Sequence, residues 1–195
     1  MLSICFATNN LHKIKEVSEV LGERVHLLSL KDIHCLEELP ETTDTIEGNS
    51  FQKAEYVWNN YHVDCFADDS GLEIEALNGE PGVHSAYYAG EQRSHDDNIK
   101  LVLKKLSSET NRKARFKTVI TLFWKGKSYQ FEGLGHGNIL LEKIGTNGFG
   151  YDPIFQPIGY QKTFAEMSAE EKNAISHRAI ATQKLVNFLK QEVSK

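Results

Sequence analysis

Asp68-Asp69-Ser70-Gly71 sits between two apolar or extended stretches, Cys65-Phe66-Ala67 and Leu72 to Ala76. Two neighbouring carboxylates at the end of a buried strand are expensive unless something offsets their charge. A divalent cation does so and also supplies chemistry. The same four residues are good turn formers, because Asp and Ser bond their own backbone and Gly accepts positive φ. The segment is therefore read as a turn after the third strand, with a metal-binding acid pair as the competing reading. Glu41 follows Pro40 in the acidic loop Glu37-Glu38-Leu39-Pro40-Glu41. Such a glutamate is ordinarily exposed, but if the loop folds over the acid pair it becomes a third hard oxygen ligand. Mg²⁺ is typically held by one or two carboxylates together with waters and substrate phosphates, and no His/Cys cluster with zinc spacing competes.

The cationic and hydrogen-bonding residues fall into three further segments. Thr8-Asn9-Asn10-Leu11-His12-Lys13 lies at a strand-to-helix junction. A helix N-terminus offers free N–H groups and partial positive charge to an anion, and Lys13 adds a full charge one turn in. The alternative is an Asn cap followed by a surface lysine. The glycines of a Walker loop are absent. Lys53, on the second helix, is either solvated or a further anion contact. Gly145-Thr146-Asn147-Gly148-Phe149-Gly150-Tyr151-Asp152-Pro153 keeps the backbone bare and offers two aromatic rings. That composition suits either a stacked nucleobase or a packed glycine turn. In Glu171-Lys172-Asn173-Ala174-Ile175-Ser176-His177-Arg178, Lys172 is a candidate phosphate contact. His177 and Arg178 are donors that select acceptors. The plain reading is a Ser176 cap with solvated basic side chains.

The elements that must position these groups are legible from periodicity. Leu2 to Thr8 reads as a strand, and Leu11 to Leu21 as a helix with one apolar face and Gly22 as its stop. Val25 to Leu30 reads as a strand, Thr45 to Tyr61 as a helix and Cys65 to Ala67 as a strand. A helix over Ser94 to Leu106 follows. Arg115 to Trp124 and Lys127 to Gly135 flank Lys125-Gly126 as a β-hairpin, and a last helix begins after Ser176. The order specifies an α/β protein with a mixed, strongly twisted sheet and flanking helices. The 195 residues suffice for a single domain, 1–195, of two lobes. Apolar residues are 40%, charged residues 25% and net charge −5. This balance argues against a general nucleic-acid coat, while leaving room for a local basic pocket. No apolar run reaches membrane-helix length, and Met1 to Ala7 reads as strand rather than leader. Cys5, Cys35 and Cys65 form no Cys-x-x-Cys pair. They are expected to be reduced, buried thiols of a cytoplasmic protein.

Taken in order, the segments resemble the inosine triphosphate pyrophosphatase family, which acts on non-standard purine nucleoside triphosphates. The matching pieces are Thr8-Asn9-Asn10-x-x-Lys13, Leu39-Pro40-Glu41, Lys53-Ala54, Ala67-Asp68-Asp69-Ser70-Gly71-Leu72, Gly79-x-Pro81-Gly82, Phe149-Gly150-Tyr151-Asp152-Pro153 and Glu171-Lys172-x-x-x-Ser176-His177-Arg178. Each motif alone is weak; the ordered set is specific. The resemblance implies hydrolysis of ITP, dITP and XTP to the monophosphate and pyrophosphate with Mg²⁺. It also implies an elongated two-lobed fold with a central cleft, and a homodimer. By position, Thr8, Asn9, Asn10, Lys13 and Lys53 resemble the triphosphate contacts, and Glu41 and Asp69 the metal ligands. Asp69 also resembles the catalytic base, with Asp68 as supporting carboxylate. Ser70 resembles a substrate contact, and Phe149, Gly150, Tyr151, Asp152, Lys172, His177 and Arg178 the base and nucleotide pocket. The chain departs from many relatives at Asn9, where they have Gly, and at Gly48-Asn49-Ser50, where they have Glu-Asn-Ala.

Overall fold

The protein is described here from a computed structural model covering residues 2–21 and 25–193. Gly22, expected as a helix stop, and Met1, at the start of the expected first strand, lie outside the described residues. The elements in chain order are β1 (Leu2–Phe6), α1 (Leu11–Leu21), β2 (Val25–Leu28), α2 (Ile46–Tyr61), β3 (Cys65–Ile74), α3 (His95–Lys105), β4 (Lys113–Trp124), β5 (Lys127–Ile139), β6 (Phe155–Pro157), α4 (Ala169–Asn173) and α5 (His177–Val193), with short 3-10 turns between some of them. The strands form one six-stranded sheet in the order β2-β1-β3-β4-β5-β6. β1 runs parallel to both β2 and β3, and β5 antiparallel to β6, so the sheet is mixed as the sequence pattern predicts. The hairpin turn falls at Lys125-Gly126, where both residues take positive φ, 50° and 80°.

One expectation is overturned. Asp68-Asp69-Ser70-Gly71 is not a turn: β3 runs without interruption from Cys65 to Ile74 through all four residues. The polar stretch stays extended because apolar residues continue on both sides of it. Leu72 and Ile74 beyond the acid pair are fully buried, as Cys65, Phe66 and Ala67 are before it. The local turn propensity of Asp and Ser is overridden by burial of the flanking strand.

The chain divides into two compact units, one formed by Met1–Asp69, Thr118–Gly133 and Arg178–Lys195, the other by Ser70–Lys117 and Leu134–His177. In the first, strand alternation sorts the side chains between two cores. Ile4, Phe6, Phe66, Ile120 and Leu122 pack with Val17 and Leu21 of α1 and Ala181, Leu185 and Leu189 of α5. The Phe6 and Phe66 rings stack with centroids 4.5 Å apart. Cys5, Ala7, Cys65 and Ala67 face the other way, onto Ala54 and Val57 of α2. All three cysteines are free, buried members of this second core. Burial, reinforced by the neighbouring Cys35, pushes the Cys5 thiol up to about 12, and burial raises Cys35 and Cys65 as well.

α2 is fixed over its N-terminal turns. Thr45 caps it, its side chain accepting the Gly48 N–H at 3.0 Å. The buried Ser50 hydroxyl reaches the Ala67 carbonyl at 3.1 Å and Thr121 Oγ1 at 2.9 Å, bolting the helix to β3 and β4. Lys53 follows Ser50 on the same helical face. In the second unit, Leu72 and Ile74 of β3 pack with Ile99, Val102 and Leu106 of α3, Phe116 of β4, and Phe155 and Phe164. Among the described residues no helix is long and apolar enough to cross a membrane. Ser50→Ala is expected to destabilise the protein by roughly 1–3 kcal/mol, because it leaves buried polar partners short of a bond; a urea unfolding midpoint indistinguishable from that of the parent would contradict this account.

Candidate active site

Consecutive residues of a strand point to opposite faces of the sheet, and β3 applies this to its acid pair. Asp68 follows Phe66 onto the face of α1 and α5. There its Oδ1 accepts from Lys13 Nζ at 2.9 Å and its Oδ2 from Arg178 Nε at 3.2 Å. The Arg178 guanidinium also pairs with Glu16. All four groups are largely buried: the side chains of Asp68 and Arg178 retain 0% and 3% exposure. Burial alone would raise the Asp68 carboxyl, but Lys13, Arg178 and Lys53 outweigh it and hold the group well below the usual carboxylate range. Burial lowers Lys13 despite the attraction of Asp68.

Asp69 points to the face of α2. Lys53 bridges it to Glu41, its Nζ lying 3.7 Å from Asp69 Oδ1 and in direct contact with the Glu41 carboxylate. The second oxygen of Asp69 is buried and has no hydrogen-bond partner. Burial raises the Asp69 carboxyl; Lys53 and Lys13 oppose the shift, while Glu41 and Asp68 add to it. The two faces differ in charge. Asp68 accepts from two cations, Lys13 and Arg178, whereas Lys53 is shared between two carboxylates, Glu41 and Asp69. No cluster of three His, Cys, Asp or Glu side chains suited to a metal occurs among the described residues. A cation on the Asp69 face would therefore draw on Asp69 and Glu41 and take its remaining ligands from water and a bound anion, the usual pattern for Mg²⁺. The partnerless Asp69 oxygen, beside a second carboxylate that shares its lysine, fits such an ion.

The loop before α1 is organised by its own side chains. Asn10 Oδ1 accepts the N–H groups of His12 and Lys13 at 3.0 and 3.2 Å, and Thr8 Oγ1 accepts the Asn10 N–H at 3.2 Å. Asn10 thus acts as an N-cap, with Thr8 partly buried and Asn9 exposed beside it. Lys13 projects from the first turn to Asp68 rather than to solvent.

In the second unit, residues 145–152 form a turn clamped to its neighbours. The N–H groups of Thr146 and Asn147 donate to the Ala165 carbonyl at 3.1 and 2.9 Å, and Asn147 Nδ2 donates to the Met167 carbonyl. Gly148, at φ +73°, leaves room for the Asp152 carboxylate, which a Cβ there would meet at 2.0 Å. That carboxylate accepts the Phe149 N–H at 2.9 Å and pairs with Lys172 Nζ at 2.8 Å, and both Asp152 and Lys172 are buried. Lys172 is presented by α4, whose Ser168 and Glu171 form a capping box, and its Nζ lies 5.2 Å from the Phe149 ring centroid. Gly150 takes φ +60°, and its N–H approaches His95 Nδ1 at 3.4 Å. His177, the first residue of α5, lies flat on Phe116, with centroids 4.6 Å apart and planes 11° apart. Ser176 before it is buried and donates its N–H to the Lys172 carbonyl.

Of the residues singled out from the sequence, Lys13 and Arg178 meet Asp68, Lys53 and Glu41 meet Asp69, Phe149 to Asp152 form the clamped loop with Lys172 and His177 nearby, and Thr8, Asn9 and Asn10 form the loop before α1. Ser70 continues β3 beyond the acid pair. Two placements differ in kind from their sequence reading. Tyr151 offers no open aromatic face; its ring is 4% exposed within the core of the second unit, and its hydroxyl bonds the Ser85 carbonyl. Arg178 turns to Asp68 and Glu16. Glu16 was missed by the sequence reading, although it lies three residues after Lys13, on the same helical face. Ser85 and Asn98 carried no sequence signal beyond being small polar residues.

Buried ion pairs add little stability relative to apolar packing, so an α/β protein that retains this many beside an unsatisfied carboxylate oxygen belongs with binders of polyanions and their counter-cations. The comparisons with known proteins narrow that class. The chain belongs to the Ham1 family, whose model matches residues 4–188. It is 55% identical to a dITP/XTP pyrophosphatase of Flavobacterium johnsoniae over 188 residues, covering 96% of this chain and 98% of that protein. It is 56% identical to a dITP/XTP pyrophosphatase of Flavobacterium psychrophilum, covering 97% and 100%. The solved structure of the Staphylococcus aureus Ham1 protein superposes with a TM-score of 0.90 at 40% identity, covering 97% of this chain and 99% of that one.

Asp68→Asn is expected to destabilise the fold by about 3–5 kcal/mol at neutral pH, since Lys13 and Arg178 lose their buried counter-charge. The folded carboxyl is depressed, so its contribution is present above the unfolded value near ~3.9 and is lost as pH falls toward the folded one. The gap between variant and parent should therefore close only in acid, below about pH 4; a gap that shrinks between neutrality and pH 5 would contradict the assignment. Gly148→Ala should disturb the Asp152–Lys172 pair, and a crystal structure of that variant with the pair unmoved would refute the clamp.

Proposed function

We propose that this protein hydrolyses ITP, dITP and XTP to the nucleoside monophosphate and pyrophosphate, clearing deaminated purines from the nucleotide pool. The observation that carries the mechanism is the Asp69 carboxylate, with one oxygen buried and unsatisfied and the other near Lys53. Such a group is suited to accept a proton from an attacking water. Water attacks the α-phosphorus, its proton passes to Asp69, and the bond to the β-phosphate bridging oxygen breaks to release pyrophosphate. When bound, Mg²⁺ polarises phosphate oxygens and positions the water; Asp69 and Glu41 are the residues assigned to hold it. Asp68, kept ionised by Lys13 and Arg178, fixes those two cations rather than exchanging protons.

Thr8, Asn9, Asn10, Lys13 and Lys53 are assigned to the triphosphate, and Ser70 to a neighbouring substrate contact. Phe149, Gly150, Asp152, Lys172 and His177 are assigned to the base and nucleotide, with Tyr151 anchoring their loop in the core. Hypoxanthine and xanthine carry an acceptor oxygen at C6, where adenine carries a donor amine. A ring N–H of His177, held flat on Phe116, pairs with the first and faces a second donor in adenine. Such mismatches strand buried polar groups and discriminate strongly. Arg178, directed at Asp68 and Glu16, is assigned to support the acid pair as well as to border the nucleotide. The reading extends to one catalytic domain over residues 1–195, acting as a homodimer in the cytoplasm, where buried reduced thiols are expected.

A panel of ITP, XTP, dITP, ATP, GTP and dTTP with Mg²⁺ tests the substrate class, with pyrophosphate and phosphate followed separately. ITP and XTP are expected at the top with pyrophosphate as first product; preference for dTTP would favour a pyrimidine-directed relative, and binding without turnover a nucleotide sensor. Asp69→Asn should lose about 10²–10⁴-fold in kcat, and retention of full turnover would sink the proposed base.

A further inference from the structure

Ser85 lies in no motif and belongs to none of the charge sets, yet its side chain and its carbonyl are both committed to hydrogen bonds. Its Oγ accepts the Leu72 N–H at 2.9 Å and donates to the Gly82 carbonyl at 2.6 Å. Its carbonyl accepts the Tyr151 hydroxyl at 2.8 Å and the Asn98 side-chain amide at 3.3 Å. Asn98, 2% exposed on α3, also donates to the Ala86 carbonyl at 3.1 Å and accepts the Ala89 N–H at 2.7 Å. Asn98 thus holds residues 85–89 in place from behind. Three segments meet in this network: β3 just beyond Asp69 and Ser70, the 82–89 stretch, and the Phe149–Asp152 loop. Tyr151 is the loop's anchor in it, with the ring in the core and the hydroxyl on the Ser85 carbonyl.

We propose that Ser85 is a positioning residue that sets the Phe149–Asp152 loop in register with the Leu72 end of β3, so that selection of the base depends on a residue away from the base itself. The proposal rests on the pyrophosphatase reading. An apolar core would hold the second unit together without these bonds, since replacing both partners of a buried hydrogen bond by apolar groups is nearly neutral in stability. What the bonds add is a fixed geometry, because a satisfied buried polar network specifies one arrangement of the segments it joins. Displacing a bound group by about 1 Å lowers turnover by up to about 10²-fold, so a hub that fixes this loop against β3 acts on rate and on selectivity together.

The test compares Ser85→Ala, Tyr151→Phe, their double variant and Ser85→Thr, each assayed well below its unfolding temperature on ITP and on ATP. Tyr151→Phe removes one oxygen from a packed ring and is the variant to rely on if Ser85→Ala folds poorly. Each single variant is expected to lose roughly tenfold in kcat/KM on ITP, with a narrower ratio of ITP to ATP. The double variant should lose little more than the worse single one, since contacts within one network are not additive. Ser85→Thr, which keeps the hydroxyl, should recover most of the loss. Single effects that multiply, or an ITP to ATP ratio unchanged in every variant, would overturn the proposal. Hydrogen exchange of the Leu72 amide gives an arm independent of substrate: Tyr151→Phe should loosen it, and unchanged protection overturns the coupling. If the parent protein releases no pyrophosphate from ITP, the pyrophosphatase reading fails, and the exchange result decides the coupling on its own.

Discussion

Two adjacent carboxylates on one extended strand must face opposite sides of the sheet, and the arrangement of charge in the first unit follows from that alternation. Asp68 shares its face with Phe66, Asp69 with Ala67. Each face then needs its own positive charge from the helices that cover it. α1 and α5 bring Lys13 and Arg178 to Asp68, and α2 brings Lys53 to Asp69. The outcomes differ. Asp68 is surrounded and fixed as an anion, while Asp69 shares one lysine with Glu41 and keeps an oxygen unsatisfied. A strand period of two thus separates a carboxylate held between two cations from one that keeps an unsatisfied oxygen, without any distance between them in sequence.

The second unit solves a different problem, holding a bare glycine turn in one shape. Gly148 makes room for Asp152, Asp152 takes the Phe149 N–H, and Lys172 neutralises Asp152 from a helix only five residues long. The turn is therefore closed by an ion pair inside the protein rather than by a ligand. Phe149, half-buried between Lys172 and His95, is left as its aromatic member that still reaches the surface.

Much of this was legible in the sequence wherever local pattern and tertiary burial agree. The helix at Leu11–Leu21 and the positive-φ hairpin turn at Lys125-Gly126 fall where periodicity and turn chemistry put them. The charged residues were recognisable as a set because their motifs keep a family order. What sequence could not supply were decisions made by distant partners. The acid segment carries strong turn chemistry, yet flanking burial keeps it in β3. Tyr151 looks like an open ring in a glycine loop, and only packing against the core hides it. Glu16 becomes meaningful only once α5 delivers Arg178 to the same place, and the pairing spans the length of the chain.

The cysteines of the second core carry a consequence for how this protein behaves over time. Cys5 and Cys65 are direct partners across β1 and β3, and with Cys35 they sit in the layer beneath α2 that also positions Lys53. Their thiols are sealed from solvent and held protonated, so reagents that attack thiolates find no purchase on the closed protein. Labelling must wait for α2 or the neighbouring strands to open, which makes the three thiols an internal clock for excursions of the first unit away from its folded form. Slow labelling would mark a lysine shelf that stays shut between turnovers; rapid labelling would mark one that breathes.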